Sequence, residues 1–465
     1  MIEGDPLEST QPNIELQQLL IGKQLLLDEL PFSKELLQQH QHHLIFREGI
    51  SLENKAPKCN RCGNQHPEWL ATFPCSRCKK ECTYCRKCIK MGRVSTCTPL
   101  VSWNGPAISL SVTPKLDWSG TLSIGQKVAS EQVVKAIKQD EDLLVWAVCG
   151  AGKTEVLFQG IEEALLSNKR VCIATPRTDV VLELTPRIKQ VFPHLKIASL
   201  YGGSDDRHHY SPLTISTTHQ LMRFYQAFDV IILDEVDAFP YSVEESLHYA
   251  VHQARKPVSS MIYLTATPNQ KWQRDCQLGK RPYVTIPARY HRHPLPVPQF
   301  VWCGNWEKKL KKGKLPGNVL RWLQNRIHSK KQTLLFLPKI DLMEKVLLIL
   351  QTIDPTIQSV HAEDPDRKEK VNKMRNKEIS LLLTTTILER GVTFPNVDVA
   401  VLGAENHIFT ESALVQIAGR VGRSFAYPSG NITFFHYGKT TAIVRARKQI
   451  IEMNHQAVKR GLVDV

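Results

Sequence analysis

An apolar strand pattern, LLVWAV, runs directly into A-V-C-G-A-G-K-T at residues 147 to 154, and the helix-like EVLFQGIEEALL follows. A strand, a glycine-bearing turn and a helix in this order put Gly150 to Thr154 at a helix N-terminus. There, backbone N–H groups and the positive end of the helix dipole accept phosphate oxygens. Ala147, Val148, Cys149, Gly150, Ala151, Gly152, Lys153 and Thr154 thus form a candidate nucleotide cradle. Lys153 is placed to reach the β- and γ-phosphates, and the Thr154 hydroxyl to ligate Mg²⁺. The pattern departs from the usual P-loop at its first position, where Ala147 replaces glycine; alanine tolerates a strand end, so the change is mild. Read alone, the plainer alternative is a chance match in which Lys153 is a solvated lysine at a helix start.

The surrounding text supports the cradle. From Thr121, short apolar strands alternate with helical patterns: LLVWAV, RVCIAT, LTISTT, DVIILDEVD and MIYLTAT. A second series starts near Gln332 with TLLFLPK and continues with IQSVHA, ISLLLTTT, DVAVLGA and NITFFHY. Strands that alternate with helices imply a parallel sheet covered on both faces. The expected fold class is therefore α/β, with two tandem parallel-sheet domains preceded by a small Cys-rich module and a helical N-terminal segment. At 465 residues, about three domains are expected. The expected boundaries are a helical segment at 1–54, the Cys module at 55–97, a linker or short hairpin at 98–120, the first α/β domain at 121–290, a basic linker at 291–325 and the second α/β domain at 326–465.

IILDEVD, residues 231 to 237, is a buried strand that ends in adjacent carboxylates. At a strand's C-terminal end, Asp234 can hold hydrated Mg²⁺ while Glu235 orients and deprotonates an attacking water. An acidic loop after a strand is common by itself; the cradle upstream favours the chemical reading. LTATP, 264 to 268, ends another strand in two hydroxyls. In the second series, Q-I-A-G-R-V-G-R at 416 to 423 spaces Gln416, Arg420 and Arg423 by four and three, on one face of a helix or tight turn. The planar, always charged guanidinium suits a γ-phosphate, so Arg420 and Arg423 are candidate fingers, against the plainer reading of an exposed basic helix. The candidate catalytic residues are thus Lys153, Asp234, Glu235, Arg420 and Arg423.

Sixty Lys plus Arg against forty-five Asp plus Glu leave a net charge of +15, the sign expected of a chain that meets phosphate backbones or anionic lipid. No apolar run approaches the ~18 residues of a membrane span, and MIEGDPLEST lacks the charged and apolar regions of a secretory signal, so a cytoplasmic protein is expected. In that reducing setting, the eight cysteines crowded between 59 and 97 read as metal ligands rather than disulfides. Cys149, Cys172, Cys276 and Cys303 are scattered and read as ordinary. C-x₂-C occurs at 59/62, 75/78, 82/85 and 85/88, and two such knuckles complete a tetrahedral Zn²⁺ site. Cys59, Cys62, Cys75, Cys78, Cys85 and Cys88 are the candidate ligands. Spacing leaves open whether 59/62 joins 75/78 or 85/88. His66 is an outside candidate.

Residues 55 to 93 carry ten Lys or Arg against two Glu, so the module stays basic with zinc-bound thiolates. Its Trp69, Phe73 and Tyr84 suit either base stacking or a small core. The densest charge lies at 271 to 330, fourteen Lys or Arg against Asp275 and Glu307. There Lys308, Lys309, Lys311, Lys312 and Lys314 are a candidate backbone-binding patch or simply a solvated surface.

Taken in order, these motifs resemble a superfamily 2 nucleic-acid helicase or translocase over about 310 residues, with DEVD as a DEAD-box variant and two RecA-like domains. The resemblance implies that Gln126 in LSIGQKVAS reads adenine and that Gln416 joins the nucleotide site. It also implies that ATPRTDVV (174–181), TPRI (185–188) and TTHQL (217–221) contact the strand, and that LLLTTTILERGVTFPNVDV (381–399) joins nucleotide to nucleic acid. With CNRCG at 59–63, YCRKCIKMGRV at 84–94 and DEVDAFPY at 234–241 added, the arrangement is similar to the ComFA late-competence ATPases. That resemblance implies Zn²⁺ on Cys59, Cys62, Cys85 and Cys88, with Cys75 and Cys78 left for a second ion with Cys82 and Cys97 in a cross-braced layout. It also implies an ATP- and Mg²⁺-dependent motor that draws single-stranded DNA into the cytoplasm during transformation. The motor would sit at the inner face of the membrane through the uptake channel and other competence proteins, with a homo-oligomer left open. The alternatives are a duplex-unwinding helicase of the replication-restart kind, whose cysteines lie inside the second motor domain, and a zinc-dependent DNA-binding adaptor with a weak ATPase. A DEAD-box RNA helicase fits less well, because DEVD and QIAGRVGR depart from its forms.

Overall fold

Strands Ile197–Leu200, Leu213–Thr217 and Val171–Thr175 are buried at every position, and Phe228–Asp234 at all but its second and last. A strand hidden on both faces needs cover on both sides, the condition of a parallel sheet between helices. Each Val, Ile or Leu withdrawn from water contributes about 1.5–3 kcal/mol, which makes this the strongest local determinant of the fold. The computed structural model describes residues 12–108 and 114–464. They divide into two compact units: residues up to Gly120 with Ser130–Leu144 and Leu157–Leu264, and Thr121–Ala129 with Val145–Val156 and Thr265–Val465.

The first sheet has seven strands in the order Ile197–Leu200, Leu213–Thr217, Val171–Thr175, Phe228–Asp234, Arg255–Thr265, Leu143–Ala147 and Tyr283–Ile286. The pairings from Ile197–Leu200 through Arg255–Thr265 are all parallel. Helix Thr178–Val191 covers it with Val180, Val181, Leu184, Ile188 and Val191, one apolar stripe at helical spacing. The second sheet has six strands in the order Gln299–Trp302, Ile432–His436, Asp398–Leu402, Thr333–Phe336, Leu381–Thr384 and Gln358–Val360, all parallel. Separate apolar clusters pack around it, one with Phe336, Phe394, Phe409 and Phe434, the other with Trp306, Leu323, Met343 and Phe435.

The stretch expected to be a basic linker, 291–325, is built into this second fold instead. Gln299–Trp302 pairs with Ile432–His436, and helices Trp306–Leu310 and Gly317–His328 follow. Trp306, Leu310, Leu315, Val319 and Leu323 are buried while Lys308, Lys309, Lys311, Lys312 and Lys314 are exposed. The charge sits on the wet face of amphipathic elements, and charge density alone masked the apolar register beneath it.

The N-terminal segment contains its helices, Ile14–Leu20 capped by Asn13 and Lys34–Gln39 capped by Ser33. It also supplies strands Leu25–Leu26 and Leu44–Arg47, which flank Leu100–Trp103 in an antiparallel sheet. Residues 98–120, expected to be a linker or hairpin, thus return a strand to the N-terminal segment, because Leu100 and Val101 are fully buried there. The Cys module is inserted between these strands as two hairpins, Ile50–Glu53 with Ala56–Cys59 and Leu70–Pro74 with Glu81–Cys85. Within the first unit, the N-terminal segment is tied down by polar groups. Gln24, fully buried, donates to the Met222 and Phe224 carbonyls and to Gln253, and the Arg47 guanidinium lies 3.4 Å over the Tyr225 ring.

Candidate nucleotide site and metal centres

Strand Leu143–Ala147 ends at the cradle, and a 3₁₀ turn, Glu155–Leu157, precedes helix Phe158–Leu166. Gly150 and Gly152 have φ of +80° and +70°, a left-handed backbone that turns their peptide groups into the loop. A Cβ at Gly152 would lie 2.3 Å from Gln126 Nε2, so glycine here is required by packing as well as by dihedral. Gln126 is 2% exposed; its amide donates to the Ala151 carbonyl at 2.9 Å and the Gly152 carbonyl at 3.3 Å, and accepts from Ser123 N. The glutamine expected to read adenine is therefore also a brace for the loop. Lys153 and Thr154 are half-buried at the loop's end, while Ala147, Val148, Cys149 and Ala151 are buried.

Cys149 Sγ donates to Gln416 Oε1 at 3.0 Å, which sets the loop against helix Glu411–Ala418. Arg423 lies beside the cradle: its Cγ is 3.8 Å from where a Gly150 Cβ would stand, and its Nε donates to the Gly419 carbonyl at 2.8 Å. Arg420 is 2% exposed and donates to the carbonyls of Glu389 and Val392. The two expected fingers thus part company: Arg423 adjoins the loop, whereas Arg420 binds the ERGV turn of its own fold. Thr267, in LTATP, bonds Ser412 through their hydroxyls at 2.8 Å.

Arg289 is the residue that sequence reasoning missed. It is 2% exposed, and its guanidinium donates to the carbonyls of Cys149 (3.0 Å), Val421 (2.7 Å), Gly419 (3.2 Å) and Gly422. One planar fork therefore joins the first turn of the cradle to the turn that carries Arg423. Burial, and then the Arg423 charge, lower its pKa to about 10. In the sequence it counted only as one cation of a basic stretch.

In the first unit, Asp234 ends its strand and accepts from Glu235 N through Oδ1 at 2.8 Å. Glu235 itself has φ of +55°, a conformation that costs a non-glycine residue roughly 1–3 kcal/mol and persists where the surroundings impose it. TPRI, implied to contact the strand, lies inside helix Thr178–Val191, with Pro186 exposed and Arg187 half-buried. The Thr185 hydroxyl is engaged by the Val181 carbonyl at 2.7 Å and by Ser199 at 2.9 Å, and Ile188 is fully buried.

The eight clustered cysteines form two sets of four free thiols, Cys59 with Cys62, Cys85 and Cys88, and Cys75 with Cys78, Cys82 and Cys97; within each set every Sγ lies within 4.8 Å of the others. Tetrahedral Zn–S bonds of ~2.3 Å separate sulfurs by about 3.8 Å. The Cys59–Cys88 and Cys62–Cys85 separations are 3.8 and 3.7 Å, and Cys75–Cys97 and Cys78–Cys82 are 3.6 and 3.3 Å, so both donor sets fit Zn²⁺. Strand Glu81–Cys85 decides the pairing, because Cys82 and Cys85 are three residues apart and point to opposite faces. Phe73 and Tyr84 pack edge to face at 5.6 Å, making them part of the module's small core, while Trp69 stays 44% exposed. His66 is in neither set and lies 3.7 Å from Glu245.

Residues 9–102 match the Competence protein ComFA N-terminal domain, 120–270 the Type III restriction enzyme res subunit, and 317–425 the Helicase conserved C-terminal domain. The Competence protein ComFA of Bacillus subtilis is 50% identical over 452 residues, 97% of each chain. The chain belongs to the ComFA family. The ComFA of Streptococcus pneumoniae is 39% identical over 80% of this chain and 86% of its own. The solved structure of S. cerevisiae Dbp5 bound to RNA and ADP BeF3 matches with a TM-score of 0.52 and 13% identity over 74% of this chain and 93% of that one, which shows the shared RecA-like fold. This ComFA family member is a competence protein of DNA uptake, and its superfamily 2 domains make it an ATP-hydrolysing enzyme. Among the described residues, no helix is long and apolar enough to cross a membrane.

Proposed function

We propose that this ComFA family member is an ATP-driven single-stranded DNA translocase, stimulated by the strand it moves, that draws transforming DNA into the cytoplasm. The observation that supports this most is the cradle: two glycines in left-handed conformation, braced by Gln126, with Gln416, Arg289 and Arg423 against the same loop. These groups spend their hydrogen bonds on fixing the loop, and a fixed loop of backbone N–H groups suits a triphosphate whose charge grows as its terminal phosphoryl group leaves.

Lys153 binds the β- and γ-phosphates, and Gln126 and Gln416 position the nucleotide around the loop. Glu235, held in a strained backbone at a strand end, orients and deprotonates the attacking water. Arg423 approaches the γ-phosphate, and Arg420 holds the turn at Glu389–Val392 that couples the nucleotide to the strand. The Thr154 hydroxyl and the Asp234 carboxylate are each suited to be a ligand of Mg²⁺, which would supply charge neutralisation on the phosphate oxygens. Zn²⁺ at both four-thiol sets is structural, since four protein ligands leave no open position. The exposed lysines from Lys308 to Lys314 add sequence-independent attraction for the DNA backbone.

Steady-state ATP turnover by the purified full chain, measured alone and with single-stranded DNA, duplex DNA or RNA, tests this reading. Stimulation by single-stranded DNA is expected. Preferential stimulation by RNA, or no turnover under any condition, would overturn it.

A further inference from the structure

Within the first compact unit, a groove of about 480 Å³ opens between the Cys module and the loops of the first α/β fold. One side is made by Pro176 and Thr178 at the start of helix Thr178–Val191, by Gly202 and Gly203, and by Thr217. The other is made by Lys90 and Met91, from the 3₁₀ helix Arg86–Met91 that carries Cys88. We propose that the Cys module is one wall of the single-strand path, with the Lys90 ammonium gripping the phosphate backbone across this groove. The inference rests on single-stranded DNA being the polymer this motor holds.

Three features fit a polyanion. First, the groove carries Lys90, Arg207 and Arg223, and no carboxylate among the described residues lines it. Arg207 is directed by its bond to the Ser204 carbonyl at 2.8 Å, and Arg223 by Gln220 at 2.9 Å. Two carboxylates stand beside the groove, each already paired: Glu29, 3.7 Å from Arg223 and 3.0 Å from Arg61, and Asp179, 2.6 Å from Arg177. Second, the 14-residue helix Thr178–Val191 begins at the groove, where Pro176 and Thr178 line it, and a helix N-terminus offers donors of the kind that meet phosphate oxygens.

Third, Gly203 has φ of +90°, yet a Cβ at Gly202 or Gly203 would meet no atom within 4 Å. Packing does not demand glycines there; what they leave is bare backbone open to a close-lying chain. No Phe, Tyr or Trp among the described residues lines the groove, and its one ring is the His219 imidazole beside three cations, a lining weighted to sugar and phosphate rather than to base stacking. Such contact suits a machine that must advance over any sequence.

The test is fluorescence anisotropy of a labelled twenty-residue oligo-dT with the full zinc-loaded chain at several salt concentrations. Lys90→Glu is expected to weaken binding at least ten-fold, and Lys90→Gln to make the log–log salt slope shallower by about 0.7, one phosphate contact on a single strand. Lys90→Arg should bind within two-fold of wild type. Lys55→Glu makes the same charge change at the exposed hairpin turn after Glu53, and should also stay within two-fold. Zinc content and the thermal transition of each variant report folding, and Lys90→Gln carries the test should Lys90→Glu lose metal. Equal weakening by Lys90→Glu and Lys55→Glu would reduce the effect to net charge and overturn the proposal. Unchanged binding by Lys90→Gln and Lys90→Glu would remove the wall while leaving the motor reading intact. Absence of oligo-dT binding by the wild-type chain would end both.

Discussion

Replacing Arg289 by lysine should damage the cradle although charge is conserved. The guanidinium is buried and spends its donors on four carbonyls, those of Cys149, Gly419, Val421 and Gly422. With a pKa of about 10 it remains protonated at neutral pH, so every one of these bonds is charge-assisted. An ammonium has three donors around a point and no fork, so one or two carbonyls lose their partner. At about 1.5–3 kcal/mol for each hydrogen bond to a charged group, the expected loss is roughly 2–5 kcal/mol. Even 2 kcal/mol expressed in the barrier lowers turnover about 30-fold. Arg289→Met, which satisfies none of the four, should be worse on both measures. Urea unfolding and steady-state ATP turnover on the same preparations provide the readout. Arg289→Lys within about 0.5 kcal/mol of wild-type stability and about two-fold of its turnover would refute the reasoning.

Lys153→Ala or Glu235→Gln should abolish ATP turnover while oligo-dT affinity is retained, and substantial residual turnover in either would mean the wrong active site. Metal analysis of the native chain should find about two Zn²⁺, with Cys62→Ser and Cys78→Ser each losing one ion; a single ion unaffected by Cys78→Ser would dismiss the second set. Lys23 is pushed down to about 7 by burial, then by Arg170 and Arg223, so the folded chain binds fewer protons than the unfolded one between there and its ordinary 10.5. Wild-type stability should therefore rise with pH across that window by up to about 1.4 kcal/mol per pH unit from this group. Lys23→Met should remove the rise and be the more stable protein at pH ~6, as read by urea midpoints.

The α/β character was legible because buried parallel strands are written as continuous apolar runs, as in VCIAT and DVAVL. Strands Ile197–Leu200, Tyr283–Ile286 and Gln299–Trp302 were not, since each has four residues set among lysine, proline or arginine and gains its identity from a distant partner strand. The cysteine knuckles were visible, yet their pairing was not fixed by spacing. It depends on hairpin register, Phe73 opposite Cys82 and Leu70 opposite Cys85, which is non-local. Lys153, Asp234 and Glu235 stood out because cradle and carboxylates occur at strand ends, a local signature. Arg289 has no such mark. Its importance comes from four carbonyls, all of which lie at least 130 residues away in the chain.

The contacts around Arg61 give the metal module a part in the groove beyond holding its own hairpins. Arg61 sits between the two knuckle cysteines' turn and the rest of the unit, with no exposed surface. It donates to the Met91 carbonyl at 2.7 Å and the Gly92 carbonyl at 3.3 Å, at the end of the helix that carries Cys88. Its other arm pairs with Glu29 at 3.0 Å, and Glu29 lies 3.7 Å from Arg223 in the groove. A buried guanidinium that loses its partners is strongly destabilising, so this arrangement holds only while the Arg86–Met91 helix is fixed. Zn²⁺ on Cys85 and Cys88 would fix it at both ends of the first turn. The same helix supplies Lys90 and Met91 to the groove, so thiolate chemistry sets the position of a phosphate-gripping side chain two residues away. A module too small for a large core can thereby present a rigid charged wall, which its few apolar contacts alone would leave loose.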